Sequence, residues 1–291
     1  MQAISRIFSF PLLAAIFLTG LCSAVFAPPA HAQTSACTWV NPSATQQITG
    51  PDSVCYKVTN TNATSTLCVP TATAGEWQSF YSHPGAATLA SCITPGSQNY
   101  TTAGTYSFTV PAYNTLTIQV WGGGGGGVYV ASNRSTSNGS AGSQSSFNGI
   151  IVAYGGSAGN GRLPGGGGAG GTASGGSTNT TGASGGDGGA FIPGGYGGSS
   201  PNGGGTVSGP SGTYAYGNAG NAPGGGGSGA VGGNAAGSGG GGGGYSAITY
   251  SPGQLSINAN ISVVVGSGGS SPSGSYAGGN GAAGEVYISW N

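Results

Sequence analysis

Charge is what this chain has least of. Its 291 residues include 4 Lys+Arg and 4 Asp+Glu, so the formal net charge is 0. With no positive field, a nucleic-acid partner is excluded. Histidine is rarer still, at two residues. Histidine, aspartate and glutamate supply most acid–base catalysis, and so few of them argue against an enzyme. Heptads are missing, which excludes a coiled coil. Glycine does not recur at every third position, which excludes collagen. What fills the chain instead is glycine, 66 residues with 16 prolines, against an average glycine content of about 7%.

One long apolar run occurs, from Ile7 to Phe26, after Arg6. It ends in Ala30-His31-Ala32, a small-x-small site, so residues 1–32 are expected to be a Sec-type signal peptide cut before Gln33. A retained anchor is the alternative, since the run is nearly long enough to span a bilayer. Pro11 interrupts it. Cleavage would leave no integral membrane segment and would place the protein outside the cell or on its surface, as in a Gram-negative bacterium.

Four of the five cysteines follow the leader: Cys37, Cys55, Cys68 and Cys92. An even number clustered in a small exported segment reads as two disulfides. Zinc is the weaker reading, because no Cys-x-x-Cys pair occurs and His83 is the one histidine after the leader. Residues 33–97 are therefore expected to form a small disulfide-stapled β module. Residues 54–58 and 66–69 look like the arms of a hairpin, which favours Cys55–Cys68 and Cys37–Cys92. Trp39, Trp77, Phe80 and Tyr81 are expected to supply its aromatic core.

Residues 98–291 form the second expected domain. Tyr106, Phe108 and Val110 alternate with polar residues, as do Leu116, Ile118 and Val120, then Leu255, Ile257 and Ala259, and finally Val286, Ile288 and Trp290. Period two is the signature of strands with one buried face. All but six glycines (Gly20, Gly50, Gly75, Gly85, Gly96, Gly104) lie between these strands, in 122–284. Glycine disfavours helix by about 1 kcal/mol per residue relative to alanine, so almost no α-helix is expected after the leader. The runs are either disordered, since glycine loses most backbone entropy on folding, or extended polyproline II helices whose peptide groups pair with neighbouring runs. The bracketing strands favour the ordered bundle, giving an all-β, sandwich-like domain.

Three blocks carry a resemblance: Tyr106-Ser-Phe-Thr-Val-Pro111 with Leu116-Thr-Ile-Gln-Val-Trp-Gly-Gly-Gly124; Gly142-Ser-Gln-Ser-Ser-Phe147 through Ala153-Tyr-Gly-Gly156; and Ser251-Pro-Gly-Gln254, Val263-Val-Val-Gly266 and Gly281-Ala-Ala-Gly-Glu-Val-Tyr-Ile288. From about residue 100 onward the chain resembles the glycine-rich domains of phage tail-fibre adhesins and some bacterial surface proteins. The resemblance implies layered polyglycine II helices with receptor-binding loops at one tip. The leader and the cysteine module depart from the phage pattern and favour a protein exported by a cell.

Short islands between the glycine blocks hold the candidate ligand-binding residues Tyr129, Asn133, Arg134, Phe191, Tyr196, Tyr214 and Tyr216. Tyrosine offers a rigid contact face with a polar tip, and such surfaces suit sugars. The alternative for each aromatic is packing over a glycine face. No catalytic set, metal site or cofactor is expected; Asp187 in Gly185-Gly-Asp-Gly188 stands alone for calcium. An adhesin-like protein binding a surface glycan or surface protein is one expectation. A structural extracellular or envelope component is the other, and no regular Thr-x-Thr pattern supports its ice-binding variant.

Overall fold

The structure, a computed structural model, describes residues 37–51, 55–83, 85–190 and 193–291. The expected signal peptide lies outside them.

In the cysteine-bearing part, β1 (Cys37–Val40) pairs antiparallel with β4 (Leu67–Pro70). A three-stranded sheet places β3 (Cys55–Asn60) between β2 (Thr45–Thr49) and β5 (Ala87–Ser91). The expected β3–β4 hairpin does not form, and Asn60 is the reason. Its side chain is buried. Its Nδ2 donates to the carbonyls of Val40 (3.0 Å) and Ser65 (2.9 Å), while its Oδ1 accepts from Asn62 N–H (3.0 Å). The chain leaving β3 is thereby carried across to β1. The disulfides follow the strands and correct the expected pairing. They are Cys37–Cys68, with Cα atoms 5.2 Å apart, and Cys55–Cys92, at 5.5 Å.

Between β4 and β5 lies one helix, α1 (Ala74–Ser82). It buries Trp77 against Tyr56, ring centroids 4.9 Å apart, over a core of Val40, Ile48, Val58 and Val69. Phe80 packs beside this core, and Tyr81 is part-exposed against Tyr56. Trp39, expected inside, is 61% exposed.

Ten further strands make two antiparallel sheets of five. Introduced in chain order, β6 is Gly96–Tyr100, β7 Gly104–Thr109 and β8 Leu116–Trp121. The short β9 (Tyr129–Val130) and β10 (Thr136–Ser137) form a separate hairpin. Then come β11 (Ser145–Phe147), β12 (Ile151–Ala153), β13 (Ala173–Ser174) and β14 (Thr178–Thr180). A second small hairpin is β15 (Val231–Gly232) with β16 (Ala235–Ala236). Last are β17 (Tyr245–Tyr250), β18 (Asn260–Val265) and β19 (Glu285–Trp290). One sheet has the order β13-β12-β11-β18-β7 and the other β14-β17-β8-β19-β6.

The alternating apolar residues explain why these strands pack. Phe108, Phe147, Ile151 and Val263 from the first sheet share one buried cluster with Leu116, Ile118, Val120, Val286 and Ile288 from the second. Leu255, Ile257 and Ala259 alternate without forming a strand. There the chain turns, with Asn258 at φ +64°, and Tyr113 OH accepts the Leu255 N–H at 2.9 Å. All-β structure with little helix is therefore what the sequence folds into.

The glycine runs are ordered by hydrogen bonds to one another, with a period of three. In the run 122–128, the N–H groups of Gly122, Gly125 and Val128 donate to Gly244, Gly241 and Ser238. Those of Gly123 and Gly126 donate to Ser143 and Ser140, and those of Gly124 and Gly127 to Ala282 and Gly279. On the acceptor side, Gly123 and Gly126 receive Gly156 and Gly159, Gly124 receives Gly269, and Gly125 and Val128 receive Gly227 and Ala230. One run thus bonds to six neighbouring segments. The run 237–244 does the same with segments at 122–128, 154–157, 168–171, 183–186, 195–198 and 224–230. Only glycine permits this: a Cβ built on Gly124 would overlap the Gly225 carbonyl, and one on Gly240 the Gly125 carbonyl.

Candidate functional site

The direction of the runs creates two unlike ends. Run 122–128 leaves β8 and arrives at β9, while run 237–244 leaves β16 and arrives at β17. Their antiparallel register, Gly122 opposite Gly244 and Val128 opposite Ser238, puts the sheet strands at one end and both small hairpins at the other. That second end, the tip, collects most of the candidate residues.

At the tip, Val128, Val130, Ala230 and Ala235 form a small buried cluster with Tyr276 packed against it. The hairpin β15–β16 turns tightly at Gly233 and Asn234, whose φ values of +56° and +64° suit a two-residue turn between strands. Val231 of this hairpin exchanges backbone hydrogen bonds with Ala215, 2.9 Å each way. Ala215 sits between Tyr214 and Tyr216, and this pairing turns both neighbouring side chains outward. Tyr214 is 53% and Tyr216 61% exposed. Their ring centroids lie 5.1 and 6.0 Å from that of Tyr276. Tyr129 borders the same loop: its ring covers Gly274, and Val130 N–H donates to the Tyr276 carbonyl at 3.1 Å.

The β9–β10 hairpin supplies the polar members. Asn133 Oδ1 accepts from the N–H (3.1 Å) and hydroxyl (2.7 Å) of Ser135, which braces the turn. Arg134 stands at φ +69°, and its Nε donates to the Gly233 carbonyl at 2.9 Å. Both side chains are exposed.

Tyr129, Asn133, Arg134, Tyr214 and Tyr216 are therefore brought to one end of the fold. Tyr196 is not part of this group. It belongs to a run bonded along its length, and its half-exposed ring lies over Gly186. Phe191 lies outside the described residues. Tyr276 was missed in the sequence because it sits within the Gly266–Gly284 block. The signal was an aromatic preceded by Ser273 and Ser275 in an otherwise side-chain-poor stretch.

The shifted phenols lie elsewhere. Burial pushes Tyr100, Tyr245 and Tyr250 up from 10.0, and all three are sheet residues. Asp187 Oδ1 is used structurally, accepting Gly167 N–H at 2.9 Å. Among the described residues no group of three His, Cys, Asp or Glu is placed to hold a metal ion, and no helix is long and apolar enough to cross a membrane. A shallow cavity of about 360 Å³ lies far from the tip, lined by Thr49, Tyr113, Leu255 and Asn258 among others.

No protein-family model, curated protein or solved structure matches the chain.

Proposed function

We propose that this is an exported, adhesin-like binding protein that recognises a surface glycan through the loops at the tip. In this reading the three-residue period and six neighbours per run are a polyglycine II bundle, and the two sheets are a sandwich that anchors it. The observation that carries the reading is the gathering of Tyr214 and Tyr216 with Tyr276, sixty positions on, at one surface with two of the rings half-exposed. Rigid exposed tyrosines beside adaptable Ser and Asn groups suit sugar faces. The reading assigns the chain no catalytic role and no cofactor, and its partner is a surface glycan or surface protein.

The test is Tyr214→Ala/Tyr216→Ala, assayed on a glycan array and in whole-cell adhesion, with the melt followed in parallel. Binding should fall while the melting temperature stays close to the parent's. A double variant that binds as well as the parent would refute the site. One that unfolds would make the tyrosines packing residues of a structural protein.

A further inference from the structure

We propose that the tip takes an anionic saccharide, one bearing carboxylate or sulfate groups, and that Arg134 receives the anionic group. The inference rests on the glycan-binding reading above and names the ligand class.

The first argument is placement. Among the described residues the cations of Lys and Arg type are Lys57, Arg134 and Arg162. Lys57 lies in β3, and both arginines lie on adjoining tip loops. The loops are clamped together: Thr136 Oγ1 donates to the Gly161 carbonyl, and Gly161 N–H donates to Asn138 Oδ1 at 2.6 Å. Of the carboxylates among the described residues, two are away from the tip, and the third, Asp187, lies near it beside Gly188, whose N–H donates to the Gly165 carbonyl at 2.7 Å. Glu285 opens β19 at the sheet end, Glu76 is in α1, and Asp187 Oδ1 holds Gly167 N–H.

The second argument is backbone conformation. Arg134 closes the turn from Ala131, its N–H donating to the Ala131 carbonyl at 2.9 Å, in the left-handed region at φ +69°. Glycine takes that conformation without steric cost. In a chain with 66 glycines, an arginine stands here where glycine would be unstrained, and the other non-glycine residues at positive φ are Ser and Asn.

The third argument is geometry. A guanidinium has five N–H donors in a planar fork. Arg134 uses Nε on Gly233, which fixes the side chain against the hairpin that also holds Ala215. Arg134 is exposed, and Gly233 belongs to the hairpin whose Val231 pairs with Ala215 between the two tyrosines; a guanidinium fork matches carboxylate and sulfate. A net charge of 0 supplies no general attraction for polyanions, so such binding would belong to this site.

The experiment measures binding of the full chain to polygalacturonate, to a sulfated polysaccharide and to neutral dextran. The variants are Arg134→Gln, Arg134→Gly and Tyr214→Ala/Tyr216→Ala. At least one anionic polymer should bind, dextran should not, and added salt should weaken binding. Either arginine variant should lower affinity about tenfold or more, with Arg134→Gly melting no lower than the parent. If neutral glycans bind, the tyrosine variant loses them and the arginine variants do not, the inference is overturned while the glycan reading stands. If no saccharide binds at all, both fall.

Discussion

Placing a single methyl group inside the glycine runs tests whether their order rests on backbone contact. Gly240→Ala is the sharpest case. The new Cβ would overlap the Gly125 carbonyl. That carbonyl accepts Gly227 N–H at 3.0 Å, and Gly240 itself donates to Gly227 at 2.8 Å. Separating the runs enough to fit a methyl costs about 1–3 kcal/mol as overpacking. Each hydrogen bond it breaks adds about 1 kcal/mol. The expected loss is about 3–5 kcal/mol, from a total that in folded domains is about 5–15 kcal/mol. At about 2–4 °C per kcal/mol for a chain of this size, the melting temperature should drop by roughly 6–20 °C. Gly166→Ala and Gly205→Ala are the controls. A Cβ at either meets nothing within 4 Å, and neither has a left-handed φ. Restricting the unfolded chain should leave both neutral or more stable by about 0.4–1 kcal/mol. Urea unfolding of the three variants decides it. Equal midpoints would mean that the runs do not pack as described, and the bundle would have to be abandoned.

Two further outcomes are expected. Non-reducing peptide mapping should recover Cys37 linked to Cys68 and Cys55 linked to Cys92; a Cys55–Cys68 peptide would contradict the β1–β4 pairing. Because burial raises the Tyr100, Tyr245 and Tyr250 phenols above 10.0, the folded state holds these protons more tightly than the unfolded one. Their contribution to stability is complete below about pH 10 and is lost as pH rises through the raised values. The urea midpoint should therefore fall as pH is raised past about 10, and a midpoint that does not fall would count against the shielding of these phenols from water.

The strands around the glycine-rich segment were legible because burial on one face imposes period two. Phe108, Ile118, Val263 and Ile288 signal their own direction. The Asn148-Gly149 turn that joins β11 to β12, with φ +56° and +65°, went unread although Asn-Gly is a local turn signal. The disulfide pairing was not legible. It depends on Asn60 reaching Val40, twenty positions away, and nothing local distinguishes that from a hairpin. The helix was hidden by its nine-residue length and by Gly75 within it. Trp39 was misplaced because a two-stranded ribbon leaves one face open. The neighbours of each glycine run were unreadable for a deeper reason: a run without side chains carries no code for its partner. At the site, the tyrosine islands stood out by contrast with glycine, whereas Tyr276 did not, and its meeting with Tyr214 and Tyr216 depends on run order alone.

A packing of bare backbones has no natural boundary, since every new run presents the same donors and acceptors as the last. Here growth is arrested by the residues that interrupt the glycines. Along 154–160 the exposed positions are Tyr154, Ser157 and Asn160, and along 267–270 they are Ser267 and Ser270. Spacing by three puts each set on one outward column of its run. There the side chains hold off a further layer. The width of the molecule is thus written as the places where glycine stops recurring. Exchanging these outward residues for glycine should free the lateral faces and promote association of separate copies, which light scattering would register; a variant that stays monodisperse would refute this account.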